Sequence, residues 1–145
     1  MHYALFSMKY FSIAELTASN TAKQRNIPNV PSDLSVRNLI MLVDNVLDPL
    51  REAYGKSIRV NSGYRSIALN KAIGGASSSQ HMTGHAADIS AGSRKENQKL
   101  FDLVQKLNLP FDQLIFEKGS LKEGPDWVHV SFDESRNRRQ ILYLV

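Results

Sequence analysis

The chain contains no cysteine. That excludes a disulfide framework and limits any metal site to histidine, aspartate or glutamate ligands. It leaves the redox compartment open. No apolar run approaches the length of a membrane span, so no membrane partner is expected. The opening residues MHYALFSMKYF carry no basic leader, no long apolar core and no small-residue cleavage site, so they do not read as a signal peptide. Synthesis in the cytoplasm is the expectation. Charge of one sign is also scarce: 18 basic residues face 14 acidic ones, a net +4. Part of the surplus sits at Arg136, Arg138 and Arg139. No aromatic residues interleave with that patch to make a stacking platform, and no nucleic-acid partner is expected.

What is present fits one soluble domain of 145 residues with an ordinary apolar share of 42%. Residues 1–10 read as an N-terminal extension or first strand, partly non-native because Met8 offers a second start. Residues 11–145 read as the working domain. Segment 11–19 predicts a short helix, with Ser12 and Glu15 spaced as a capping box. Segment 35–54 predicts the longest helix, with Val36, Leu39, Ile40, Val43, Val46, Leu47 and Leu50 on one face. Pro49 should kink it or mark a boundary, and Gly55 should stop it. Segments 66–75 and 93–109 predict further helices. The second is capped by Ser93 and buries Leu100, Val104 and Leu107. Strands are expected within 57–66, 85–90, 112–117, 126–132 and 139–145. The late strands are joined by connections too short for parallel crossovers. The expected fold is therefore α+β, with N-terminal helices packed on a mainly antiparallel sheet.

The stretch SSSQHMTGHAADIS (77–90) holds two histidines four residues apart. On a helix His81 and His85 would share a face. Met82 stands where a zincin needs glutamate, however, and Gly84 is a poor helix interior residue. The other reading is a glycine turn that lets His81 and Asp88 converge. A third ligand can come from DWVHVSF (126–132). In an alternating strand Trp127, His129 and Ser131 share one face, while Val128, Val130 and Phe132 share the other. Two histidines and one aspartate suit zinc with an open position. A metal-free polar cluster of the same residues remains the competing reading at this level.

The motifs SGYRS, SSQHMTGHAADI and DWVHVSF together resemble the M15 family of zinc peptidases, the D-Ala-D-Ala carboxypeptidase group on the hedgehog/DD-peptidase fold. The family pattern S-x-H-x-x-G-x-A-x-D, followed by acidic-x-x-H, is met by Ser79, His81, Gly84, Ala86, Asp88, Asp126 and His129. The likeness runs from about Phe11 to Phe132. It implies one Zn²⁺ per chain on His81, Asp88 and His129. It implies Asp126 as the catalytic proton acceptor, with Glu117 and Glu123 as weaker substitutes. Arg65 is implied to steady the oxyanion or hold a substrate carboxylate. Ser79 and Trp127 are expected to contact substrate, while His85 stays off the metal. The implied activity is hydrolysis of peptide bonds in peptidoglycan stem peptides, as a carboxypeptidase or an endopeptidase, by a monomer acting on the cell wall. A phage or prophage lysin, or a bacterial enzyme exported by a non-classical route, fits that setting. The alternative is a non-catalytic zinc-containing binding module, or a structural component of a phage, on the same fold.

Overall fold

The computed structural model describes residues 8–145; the expectation for residues 1–7 lies outside them. Among the described residues, serines start five of the six α-helices. Ser12 caps α1 (Ile13–Thr17) with the expected reciprocal Glu15 contact. Ser19 caps α2 (Asn20–Gln24), which lies beyond the helix expected over 11–19 and was not anticipated from the sequence. Ser32, Ser66 and Ser93 cap α3 (Asp33–Leu42), α5 (Ile67–Ala72) and α6 (Arg94–Lys106).

The long helix expected over 35–54 is a continuous column with a changed pitch. After α3 comes a π-helical segment, Val43–Leu47, and then α4 (Asp48–Tyr54). Pro49 lies in the first turn of α4, where its missing N–H matters least, and the wider π turn precedes it. Gly55 ends α4 in the left-handed conformation, with φ 80°.

The sheet comprises β1 (Arg59–Ser62), β2 (Ala86–Ser90), β3 (Gln113–Glu117), β4 (Trp127–Ser131) and β5 (Gln140–Leu144), in the order β1-β2-β4-β3-β5. The pairs β1/β2, β2/β4 and β3/β4 are antiparallel, as expected. β5 departs from the pattern by pairing parallel to β3. A short connection suffices because β5 follows β4, which runs antiparallel to β3; β3 lies between them.

One sheet face carries the core. Ile89, Leu114, Phe116, Val128 and Val130 are buried with Leu39, Leu42, Val43, Val46, Leu47 and Leu50 of the long helical column and with Leu100, Phe101 and Val104 of α6. Burying each such side chain contributes about 1.5–3 kcal/mol. Leu107 was expected in this set; it lies at the C-cap of α6 and is exposed. Alternation then sends Asp88, Ile115, Glu117, Trp127 and His129 to the opposite face, where they line a cleft.

Candidate metal centre

His81 stands on a 3-10 turn, Gln80–Thr83, that Gly84 closes with φ 78°. A Cβ at Gly84 would lie 2.4 Å from the Ser35 carbonyl oxygen. Glycine is thus needed for its backbone angle and for the close approach. The turn rules out the shared helical face for His81 and His85. His85 instead has Nδ1 2.6 Å from Thr83 Oγ1 and Nε2 3.9 Å from Asp133.

The His81 ring is fixed from behind. Its Nδ1 lies 2.7 Å from the Gly63 carbonyl. A carbonyl only accepts, so Nδ1 carries a proton, which leaves Nε2, on the cleft side, to hold either a metal or a proton shared with Asp88. The β1–α5 connection that supplies this carbonyl also bonds Arg65 N–H to the His81 carbonyl at 3.0 Å. Gly63 itself is pressed against Leu16, whose carbonyl oxygen would lie 2.2 Å from an added Cβ.

Asp88 and His129 face each other across the β2/β4 ladder. His129 Nδ1 lies 3.0 Å and His81 Nε2 3.4 Å from Asp88 Oδ1. The three donor atoms all fall within 4.8 Å of one another. His81 and His129 are buried, and the Asp88 side chain is 13% exposed. Burial by itself would raise the Asp88 pKa, but hydrogen bonds and charge from His129 and His81 outweigh it and hold the carboxyl ionised, below the usual carboxylate range. Two imidazole nitrogens and an ionised carboxylate, converging from three elements, make a donor set that fits zinc. Of the two readings open from sequence, the turn that joins His81 to Asp88 is the one the fold adopts.

Arg65 borders the cluster. One guanidinium nitrogen is 3.7 Å from Asp88 Oδ2, while Nε donates to Ser62 and Nη1 to Asn70. Burial lowers its pKa and Asp88 opposes that; the group remains cationic. Gly75 leaves the space, since an added Cβ would sit 2.1 Å from Asn70 Oδ1. Ser79 caps the 3-10 turn through the His81 N–H and also lines the cleft. Trp127 lines it too, and its buried Nε1 has no hydrogen-bond partner among the described residues.

Asp126 lies apart from this set. Gly124, with φ 119°, turns the chain ahead of β4 as expected, but the Asp126 carboxylate goes to Arg94 on α6, with Nε to Oδ1 at 2.8 Å. It is 42% exposed and does not line the cleft. The physical reason is strand alternation: Asp126 has the parity of Val128, not of His129. Besides Asp88, the carboxylate that lines the cleft among the described residues is Glu117, at the end of β3 and directly across from Trp127. Burial first, and the nearby Asp88 second, raise its pKa.

A second polar knot braces the site. Asp112, wholly buried, takes a bidentate bond from Arg138 at 2.7 and 2.9 Å and a bond from Gln80 Nε2 at 2.8 Å. Gln80 precedes His81, so this knot ties the 3-10 turn to the root of β3. The cleft has a volume of about 340 Å³.

The model of the Peptidase M15 family matches residues 9–131. Over 49 residues the chain is 55% identical to a zinc D-Ala-D-Ala carboxypeptidase of Streptomyces albus G. That match takes in 33% of this chain and 19% of the length of the carboxypeptidase.

Proposed function

Since the chain belongs to the peptidase M15 family, we propose that it is a zinc-dependent peptidase cutting peptide bonds in peptidoglycan stem peptides. The observation that carries this is the convergence of His81, Asp88 and His129 in a cleft that also holds Arg65. We assign the catalytic unit to residues 11–145, acting as a monomer on the cell wall, with one Zn²⁺ per chain. Carboxypeptidase action has the support of the partial relative; an internal cut, as by a phage lysin, is the finer alternative.

Bound zinc supplies a Lewis acid that polarises the scissile carbonyl and makes water a better nucleophile. The chain's own residues do the rest. Asp88 stays ionised as a ligand, and the Gly63 carbonyl accepts from the His81 Nδ1–H, which leaves Nε2 for the metal. Arg65 offers a positive fork beside Asp88, where it can hold a carboxylate or the developing oxyanion. Ser79 and Trp127 border the bound peptide. Asp126 is assigned the proton transfer, which requires it to leave Arg94 and turn toward the cleft.

That Arg94 pairing is the observation that favours the other reading, a zinc-containing binding module without turnover. One experiment separates the two. Purified peptidoglycan is incubated with the zinc-loaded protein, with and without a chelator, and the fragments are identified by mass spectrometry. Chelator-sensitive release of peptide fragments, abolished in Asp126→Asn with zinc retained, is the expected result. Intact walls from several bacterial types would favour the binding module, and full activity in Asp126→Asn would remove Asp126 from the mechanism.

A further inference from the structure

Glu117 lines the cleft half-buried beside the candidate metal centre. Its carboxylate makes no hydrogen bond or close ion pair among the described residues; only the charges of His129 and Lys118 favour its ionised form, against burial and Asp88. Such a group is costly to keep without a purpose. Its immediate neighbour is the only tryptophan of the chain: Glu117 and Trp127 are paired across the β3/β4 ladder and line the same cleft. A carboxylate next to an indole is suited to a primary ammonium, which gains an ion pair from one and a cation–π contact from the other.

The sheet order fixes where this subsite lies. Arg65 follows β1 and reaches Asp88 on β2; His129 stands on β4; Glu117 stands on β3. The cationic group and the Glu117 carboxylate therefore flank the metal ligands on opposite sides. Asp88, which Arg65 reaches from the β1 side, and Glu117 are two strand spacings apart, roughly 10 Å, so Arg65 lies somewhat farther from Glu117. An extended peptide covers such a span in about three to four residues.

We propose that Glu117 and Trp127 form an ammonium-binding subsite, so that the cleft selects peptides with a positively charged amine on the β3 side and a carboxylate toward Arg65. This rests on the peptidase reading for the nature of the ligand. Two amines have the required chemistry, an α-ammonium at the peptide's N-terminus and the ammonium of a side chain.

The test uses the zinc-loaded protein and three probes: tri-D-alanine, with only an α-ammonium; acetyl-lysyl-D-alanyl-D-alanine, with only a side-chain ammonium; and its diacetyl form, with neither. Binding is followed by Trp127 emission immediately after mixing, and cleavage separately by mass spectrometry. At least one ammonium probe should bind roughly tenfold more tightly than the diacetyl peptide, and which one does so identifies the amine. Glu117→Gln should hold all three at the diacetyl level while keeping its zinc. Wild-type protein that binds all three alike would overturn the subsite. So would a Glu117→Gln variant that weakens the diacetyl probe as much as the others, or one that loses kcat on every probe at unchanged KM, which would make Glu117 a proton carrier. Discrimination without cleavage would sustain the subsite and count against the peptidase reading alone.

Discussion

Asp88 and Asp112 are both removed from water, and their partners differ in kind. Asp112 is held by Arg138, a permanent cation with a rigid fork, and by Gln80. Asp88 is held by two imidazoles and stands 3.7 Å from Arg65. The Asp112 carboxylate is engaged on both oxygens by Arg138 and Gln80, although the buried Gln80 Oε1 has no partner among the described residues. The Asp88 cluster is satisfied through histidine nitrogens, which a metal can take over. Burial with a fixed counter-charge makes structure, whereas burial with exchangeable donors makes a site.

Exchanging the two aspartates should separate these roles most sharply. Asp88→Ala should take the zinc content measured by elemental analysis from about one per chain to near none, through loss of a ligand. Asp112→Asn should retain zinc at moderate temperature and instead lower stability in urea by about 2 kcal/mol, since charge-assisted bonds are lost and Arg138 keeps access to water. Zinc loss from both variants alike would erase the distinction.

The pH dependence should divide along the same line. Arg138 first, through its hydrogen bond, holds the Asp112 pKa down at about 2. A carboxyl depressed below its unfolded value stabilises the fold above that unfolded value, near 3.9. The contribution fades as pH falls from about 4 toward about 2. The urea midpoint of the metal-free protein should drop across that window, and less steeply in Asp112→Asn.

A smaller effect is expected from Gly84→Ala. The added methyl meets the Ser35 carbonyl and a backbone at φ 78°. The strain, of order 1–3 kcal/mol, should shift the 3-10 turn and weaken zinc binding without abolishing it. The smallest effect belongs to His85→Gln, which should leave zinc affinity unchanged, because His85 faces Thr83 and Asp133.

The parts of the site that could be read from sequence are those with local causes. Gly84 is a poor helix residue between the two histidines, so 77–90 already weighed against a His81–His85 pair and offered His81 with Asp88 as the other reading, which the family resemblance favoured. The alternation of 126–132 assigns His129 to the cleft and Val128 and Val130 to the core, and both lie there. The serines read as caps, Ser12 and Ser93, located the starts of α1 and α6. The rest depends on partners distant along the chain. Arg94, 32 residues before Asp126, takes up the carboxylate expected at the reacting centre. Glu117 was ranked a weak substitute because only the β3/β4 register brings it opposite Trp127. The parallel placement of β5 was hidden because strand order is not set by loop length when another strand lies between.

The most direct test of the centre is a calorimetric zinc titration of metal-free wild-type protein beside His81→Ala. Wild-type protein should bind one zinc per chain, and His81→Ala should show no comparable site. Equal affinity in the two proteins, or a stoichiometry far from one, would contradict a zinc centre built on His81, Asp88 and His129.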